Sequence, residues 1–232
     1  MKLIFASILM LAACGSDPLD PGAGNDAGGG TNTLTVEGHA TAEPNFANAT
    51  HETDFTTDFS VRITLNQVAV TTGTVTVQSR FGMTPLTFNT QENRWQGRAA
   101  NYDEVYQLDI VSGADKVNGV IVDGPDIHVF TSPMAGATLD STVQNPLKWD
   151  RDSAADIATF DAQEIDRITI QDTGDYMMGT GVLKADKDQA RANTLTIDRT
   201  NHVQPAGAVA GSDFAVTVSQ ELDVIVAPNP AL

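Results

Sequence analysis

Along the body of the chain, runs of apolar and polar residues alternate with a period of two. In "DFSVRITL" Phe59, Val61, Ile63 and Leu65 share one phase, while Ser60, Arg62 and Thr64 take the other. "TVTVQSRF" repeats the pattern through Val75 and Val77, and "VYQLDIVSG" through Tyr106, Leu108 and Ile110. Further along come "GVIVDGPDIHVFTSP", "IDRITIQDTGDY", "GTGVLKAD", "NTLTIDRT" and "FAVTVSQELDVIVAP". This spacing predicts strands with one face on a core and the other in water. Turn pairs punctuate them at Thr72-Gly73, Ser112-Gly113, Asn118-Gly119, Thr173-Gly174 and Ala210-Gly211, a cadence that fits antiparallel sandwiches. Only "SAADIATFDAQEI", Ser153 to Ile165, reads as a helical turn or two. No long amphipathic helix is visible, which argues against α/β folds.

The N-terminus follows another rule. Leu3 to Ala13 is apolar except for Ser7, and it follows a single lysine. It is too short to span a bilayer and suits a secretory h-region. Leu11-Ala12-Ala13-Cys14 then resembles the lipobox of bacterial lipoproteins. That resemblance implies cleavage before Cys14, a thioether from its thiol to diacylglycerol, palmitate among the acyl chains, and a membrane anchor, since two or more chains hold stably. Gly15 in place of Asp after the cysteine implies the outer membrane. The next stretch, "GSDPLDPGAGNDAGGGTNT", holds six Gly, two Pro and three Asp and reads as a flexible linker. No other cysteine exists, so the body depends on its core alone.

These signals divide the chain into a signal peptide at 1–13, a lipidated cysteine and Gly-rich linker at 14–33, and two β-sandwich domains at 34–124 and 125–232. The cut falls at Asp123-Gly124-Pro125. In the second half "IHVFTSPMAGATLDSTVQNPLKW" and the hairpins that follow resemble bacterial surface Ig-like domains. The expected class is therefore all-β, with tandem antiparallel Ig-like β-sandwiches.

Composition narrows function more by exclusion. Thirteen Lys and Arg against 30 Asp and Glu give a formal charge of −17, which repels nucleic acid and anionic lipid surfaces. The charge is uneven. Between Phe59 and Tyr102 the single acid Glu92 faces Arg62, Arg80, Arg94 and Arg98. Catalytic motifs are missing: there is no G-x-S-x-G elbow and no H-E-x-x-H, and His39, His51, His128 and His202 are scattered. His128 stands where a strand would point a polar residue outward. The chain is accordingly expected not to be an enzyme.

Two ligand ideas remain. Trp95, flanked by Arg94 and Arg98 and joined by Arg80 in the same basic stretch, would suit an acidic glycan or carboxylate-bearing partner if exposed. A sugar-stacking platform would set Trp95 and Tyr102 coplanar on the surface, while Trp149 is expected in the core. Asp150, Asp152, Asp156 and Asp161 occupy positions 1, 3, 7 and 12 of a twelve-residue frame and suggest calcium. Yet Ala154 and Ala155 stand where an EF-hand needs a ligand and a glycine, and no cofactor is required. The role expected is a non-catalytic binding or scaffolding module of the cell envelope, with a protein or glycan partner. A carbohydrate-binding module or a calcium-stabilised adhesion domain is the alternative.

Overall fold

A computed structural model describes residues 25–232. Cys14, its lipobox and the first part of the linker lie outside the described residues. Ten strands come from the first half: β1 Gly29–Gly30, β2 Leu34–Pro44, β3 Phe55–Leu65, β4 Val68–Ala69, β5 Thr74–Ser79, β6 Gly82–Pro85, β7 Thr87–Asn89, β8 Arg94–Ala100, β9 Val105–Ser112 and β10 Asp115–Asp123. Eight follow: β11 Val129–Ser132, β12 Thr138–Leu139, β13 Asn145–Asp150, β14 Ile157–Ala162, β15 Ile165–Ile170, β16 Asp175–Met178, β17 Arg191–Val203 and β18 Asp213–Val226. The chain is all-β. Among the described residues the only helical segment is one 3₁₀ turn, Glu52–Asp54. The segment expected to be helical after Ser153 forms β14 instead, because Ala158 and Phe160 point into a core while Ile157, Thr159 and Asp161 do not.

Three sheets make two sandwich lobes. A ten-stranded sheet runs β15-β14-β17-β18-β2-β3-β8-β7, with β12 beside β18 and β4 beside β3. A five-stranded sheet, β1-β10-β9-β5-β6, covers one end of its inner face. The three strands β11-β13-β16 cover the other end. The first core packs Val75, Leu108 and Val120 against Val36, Val61 and Trp95. The second packs Phe130, Leu147, Trp149 and Met178 against Phe160, Leu195 and Ile197. Trp149 is core, as its place at a strand end implied.

β18 belongs to both lobes. Its inner phase reads Phe214, Val216, Val218, Gln220, Leu222, Val224, Val226. The first three join the first core and the last three the second, although all lie beyond residue 124. β2 pairs in parallel with its first part, from Asp213 to Val218, and β12 with its end, Ile225 and Val226. Gly38 makes the first contact possible: a Cβ there would meet the Phe214 ring at 3.0 Å and a Val61 methyl at 3.3 Å. Gly124, at the expected cut, is packed equally hard, since its Cβ would lie 2.6 Å from both the Tyr102 hydroxyl and Val216.

Two further readings change. Asn118-Gly119 is not a turn but a bulge inside β10, where the register shifts between Val117 and Val120 and the Gly119 N–H donates to Asp109 at 2.8 Å. The linker also ends early. From Asp26 the Gly-rich segment is paired along β10, so residues 25–33 belong to the folded body.

Candidate functional site

The outer face of the ten-stranded sheet is covered by no other layer among the described residues. It crosses both lobes and carries Thr194, Thr200 and Thr217 on one side and Thr41, Ser60 and Gln96 on the other. Over β2, β3 and β8 it dips into an open recess of about 620 Å³, lined by His39, Thr41, Asp58, Ser60, Glu92, Arg94, Gln96 and Arg98. The register builds it directly. His39 lies opposite Ser60, which lies opposite Gln96, and Thr41 opposite Asp58, which lies opposite Arg98.

These polar groups hold one another in place. Arg98 forks onto Asp58 through Nε and Nη2, both at 2.6 Å. Arg94 donates to Glu37 at 2.9 Å and to the Ser60 hydroxyl at 3.4 Å. Gln96 donates to Glu92 and accepts from Asn89, each at 2.7 Å. The paired Asp58 carboxylate raises the Arg98 pKa. The pKa of His39 is pushed below its ordinary value, first by desolvation and then by the Arg94 guanidinium, against the pull of Glu37. Fixed donors and acceptors in this number suit a polar ligand rather than an apolar one.

Of the four residues singled out with the basic stretch, two meet here and two do not. Trp95 is 6% exposed and faces the core, where its indole N–H donates to the Val70 carbonyl at 2.9 Å and its ring meets Phe88 edge-on. Alternation along β8 sends Arg94 and Arg98 out and Trp95 in. Tyr102 is fully buried, so the stacking platform is not formed by this pair. Arg80 sits on the other sheet, at the β5–β6 turn, tied to Glu52 and Asp103 and lying over the Phe81 ring.

The aspartates of the calcium frame do not converge. The Asp152 N–H is held by Asp126, Asp156 accepts the His202 N–H at 3.0 Å, and Asp161 pairs with Arg167. Asp150 lies on β13, in register with Val129. Among the described residues no three His, Cys, Asp or Glu side chains are grouped to hold a metal ion. Strands hold the two ends of the frame apart, Asp150 on β13 and Asp161 on β14, and leave only Asp152 and Asp156 on the loop between them.

A second concavity, of about 560 Å³, opens at the lobe junction and carries His51, Glu52, Glu104, Asp126 and Asp152. Burial raises the Glu104 pKa, reinforced by Asp126, Glu52 and Asp123. For Asp126 burial is again the largest influence, but the Asp152 N–H and Arg199 outweigh it and the net shift is downward. That divergence is the pattern of an acid and base pair. Asp126, however, is already filled by two N–H groups, the Ser153 hydroxyl and Arg199, which makes it a brace for the 150–155 loop.

Behind this cleft lies a polar junction that the expectations above missed. Arg199 is wholly buried and donates to Asp172 at 2.9 Å, to Asp126 at 3.2 Å, and to the carbonyls of Asp126 and Ser153. Gln220 donates to the carbonyls of Ala49 and His128. His128 does not point outward. It is fully buried against Phe130, both ring nitrogens lack a partner, and burial, with help from Arg199, lowers its pKa to about 3. The signal was present: Arg199 falls on the apolar phase of Leu195 and Ile197, and Gln220 on that of Val218 and Leu222.

No family model matches the chain, and no curated protein matches it. Among solved structures it is similar to DIP-gamma IG1+IG2, at 9% identity and a TM-score of 0.25, with 85% of this chain and 99% of that one covered. It is also similar to the chicken CNTN1 FN1-FN3 domains, at 9% identity and a TM-score of 0.21, covering 83% and 67%. A beta-1,2-glucanase from Parabacteroides distasonis gives 8% identity and a TM-score of 0.19, covering 84% and 38%. At these scores the likenesses carry no argument about function.

Proposed function

We propose that this chain is a lipid-anchored, non-catalytic binding or scaffolding module of the bacterial envelope, held through Cys14 and engaging its partner with the outer face of the shared sheet. The observation that supports it is the recess over β2, β3 and β8, where Arg98 is fixed on Asp58, Arg94 on Glu37 and Ser60, and Gln96 between Glu92 and Asn89, on a face that no layer covers among the described residues. A surface held in one arrangement before binding loses little side-chain freedom on contact. Both signs of charge alternate there, within a molecule that is otherwise strongly acidic, so the face does not repel an anionic partner as the rest of the body does.

The partner is a polar one, either an extended protein segment or a glycan. The glycan reading rests on the planar groups of Gln96, Asn89 and the Arg98–Asp58 pair, which can meet hydroxyls in pairs, and not on aromatic stacking. The anchor reading rests on the lipobox and on the absence of any other cysteine.

Two experiments test the proposal. Metabolic labelling with an alkyne palmitate should mark the wild-type chain and leave Cys14→Ser unlabelled. A photo-crosslinking residue placed at Thr41 or Gln96 should give envelope adducts, whereas one at Val111, exposed on the other sheet, should give none. Proteinaceous or carbohydrate adducts then decide the class of partner. Equal adducts from all three positions would remove the recess from consideration.

A further inference from the structure

The glycine tract that reads as linker is built into an edge of the five-stranded sheet. Asp26 and Ile121 exchange both backbone hydrogen bonds, at 3.0 and 2.8 Å. The Thr31 N–H donates to Lys116, the Asn32 N–H to Gly207, and the Ala206 N–H to Ala27. Asn25 accepts the Asp123 N–H at 2.6 Å. The slot between β10 and the loop at Gly207 admits only glycine at its narrowest point. A Cβ on Gly30 would fall 2.2 Å from the Lys116 carbonyl oxygen, and one on Gly207 would fall 1.8 Å from the Gly30 nitrogen. Gly28 adds a left-handed φ of +69°. These glycines are therefore selected for a fit, not for looseness alone.

The fit has no apolar content. Residues 25–33 place no side chain in either core, and their only hydrocarbon side chain is Ala27. The strand beneath is different, with Val117, Val120 and Val122 fully buried, and Leu34 just after the segment is buried too. Opening the segment thus exposes backbone and little else, which puts it at the low end of local unfolding free energies. Leu34 and β2 would stay where they are.

We propose that residues 25–33 are a detachable strap, which leaves β10 as a unit while both lobes stay folded and so sets two lengths for the tether to the anchor. With the strap docked, the chain from Cys14 to the body ends at Asn25, eleven residue steps away, a reach of at most about 40 Å. With the strap released it ends at Leu34, twenty steps away, and the reach rises to about 70 Å. The docked strap leaves the body beside Asp123 and His202, at the lobe junction, so it also fixes where on the body the tether acts. The tether lengths rest on the lipid-anchor reading; the opening of the strap does not.

Hydrogen exchange tests the opening on the chain from residue 15 onward, which keeps every described residue. The amides of Asp26, Thr31, Asn32 and Ile121 should exchange more than about a hundredfold faster than those of the β17–β18 pair, at rates insensitive to mild denaturant. Gly30→Ala should free them further with no change in the thermal midpoint. Gly29→Ala is the control, since nothing lies within 4 Å of its Cβ, and should change nothing. Exchange of the strap only through global unfolding, or a midpoint lowered by Gly30→Ala as a core variant would lower it, overturns the proposal. The lipidated chain on vesicles, dye-labelled at Val68→Cys, then reads the reach. Energy transfer to a lipid acceptor should fall in Gly30→Ala, and unchanged transfer overturns the tether role. Palmitate labelling of Cys14, read separately, tells a missing anchor from a strap that stays shut.

Discussion

Arg199 and Arg98 form ion pairs with aspartate on opposite faces of one sheet, and the surroundings give the two bonds different jobs. Arg98 forks onto Asp58 in the open, with 69% of its side chain exposed. Arg199 has no exposed surface and spreads its donors over Asp126, Asp172 and two carbonyls between the lobes. Water screens the first pair and would replace either partner if it left. Water does not reach the second, because Asp172 is itself 3% exposed; without Arg199 it keeps only Arg151, the Trp149 indole and the Ala155 N–H. Geometry alone would rank the Arg98 fork higher; burial reverses that ranking.

The comparison breaks most clearly at Arg199. Arg199→Ala should destabilise the protein by about 3–5 kcal/mol in chemical denaturation, because it removes the buried guanidinium that neutralises Asp126 and Asp172 at the junction. Arg199→Lys should rescue little, since one ammonium cannot serve two carboxylates and two carbonyls in a fork. A loss as small as that of a surface pair would mean that the junction admits water.

Acid should find the same junction through His128. Its folded pKa is about 3, while an unfolded imidazole titrates near 6.5. The unfolded chain therefore takes up a proton that the folded one refuses. Stability intact above pH 6.5 is lost as the pH falls toward 3, by roughly 3 kcal/mol on reaching pH 4 at about 1.4 kcal/mol per unit. Asp103 and Glu104, whose pKa values burial raises, act in the opposite sense, favouring the folded state as they protonate. The measurement is thus a difference. His128→Phe should match or exceed wild type at pH 7, because no hydrogen bond is lost, and should show a shallower fall in urea midpoint toward pH 4.

What the sequence told and withheld follows from range. Alternation is local, so many of the core strands, the all-β class and the burial of Trp149 were legible, whereas β14 read as helix and "GTGVLKAD" read as a strand but forms a turn-rich loop. Sheet partners are not local: no pattern in "FAVTVSQELDVIV" says that its first half pairs with β2 and its second with β12. The junction was half legible, because Gln220 and Arg199 interrupt apolar phases, but an interruption does not say what satisfies it. The glycine tract was misread for a related reason. Composition reports that a backbone can bend, whereas Gly30 is needed because Lys116 comes so close. In the recess, Arg94 and Arg98 were found through charge, while His39, Asp58 and Gln96 come from three strands that only the register unites.

Trp95 sits between the two faces and sharpens the contrast. Its neighbours in sequence line the recess, yet its own ring is core. Trp95→Phe should cost about 1–3 kcal/mol, through the lost bond to Val70 and the volume left behind. Partner binding at the recess should be unchanged as long as β8 keeps its register. A variant that binds poorly at full stability would instead mean that the indole reaches the ligand.

The smallest effect on stability belongs to Arg98, and it is the most informative about function. Asp58 stays hydrated when the guanidinium is removed, and an exposed pair loses long-side-chain freedom in forming, so Arg98→Ala should leave the melting midpoint where it is. Any residual difference should vanish in high salt, as exposed charges are screened over a few ångströms there. If the recess is the binding face, the same substitution should remove the crosslinks made from Gln96 and Thr41 while the fold is untouched. The Arg199 variants would lose both together. A residue whose loss abolishes contact without moving stability is held in place for a partner, and the outer face of this sheet is where such residues are concentrated.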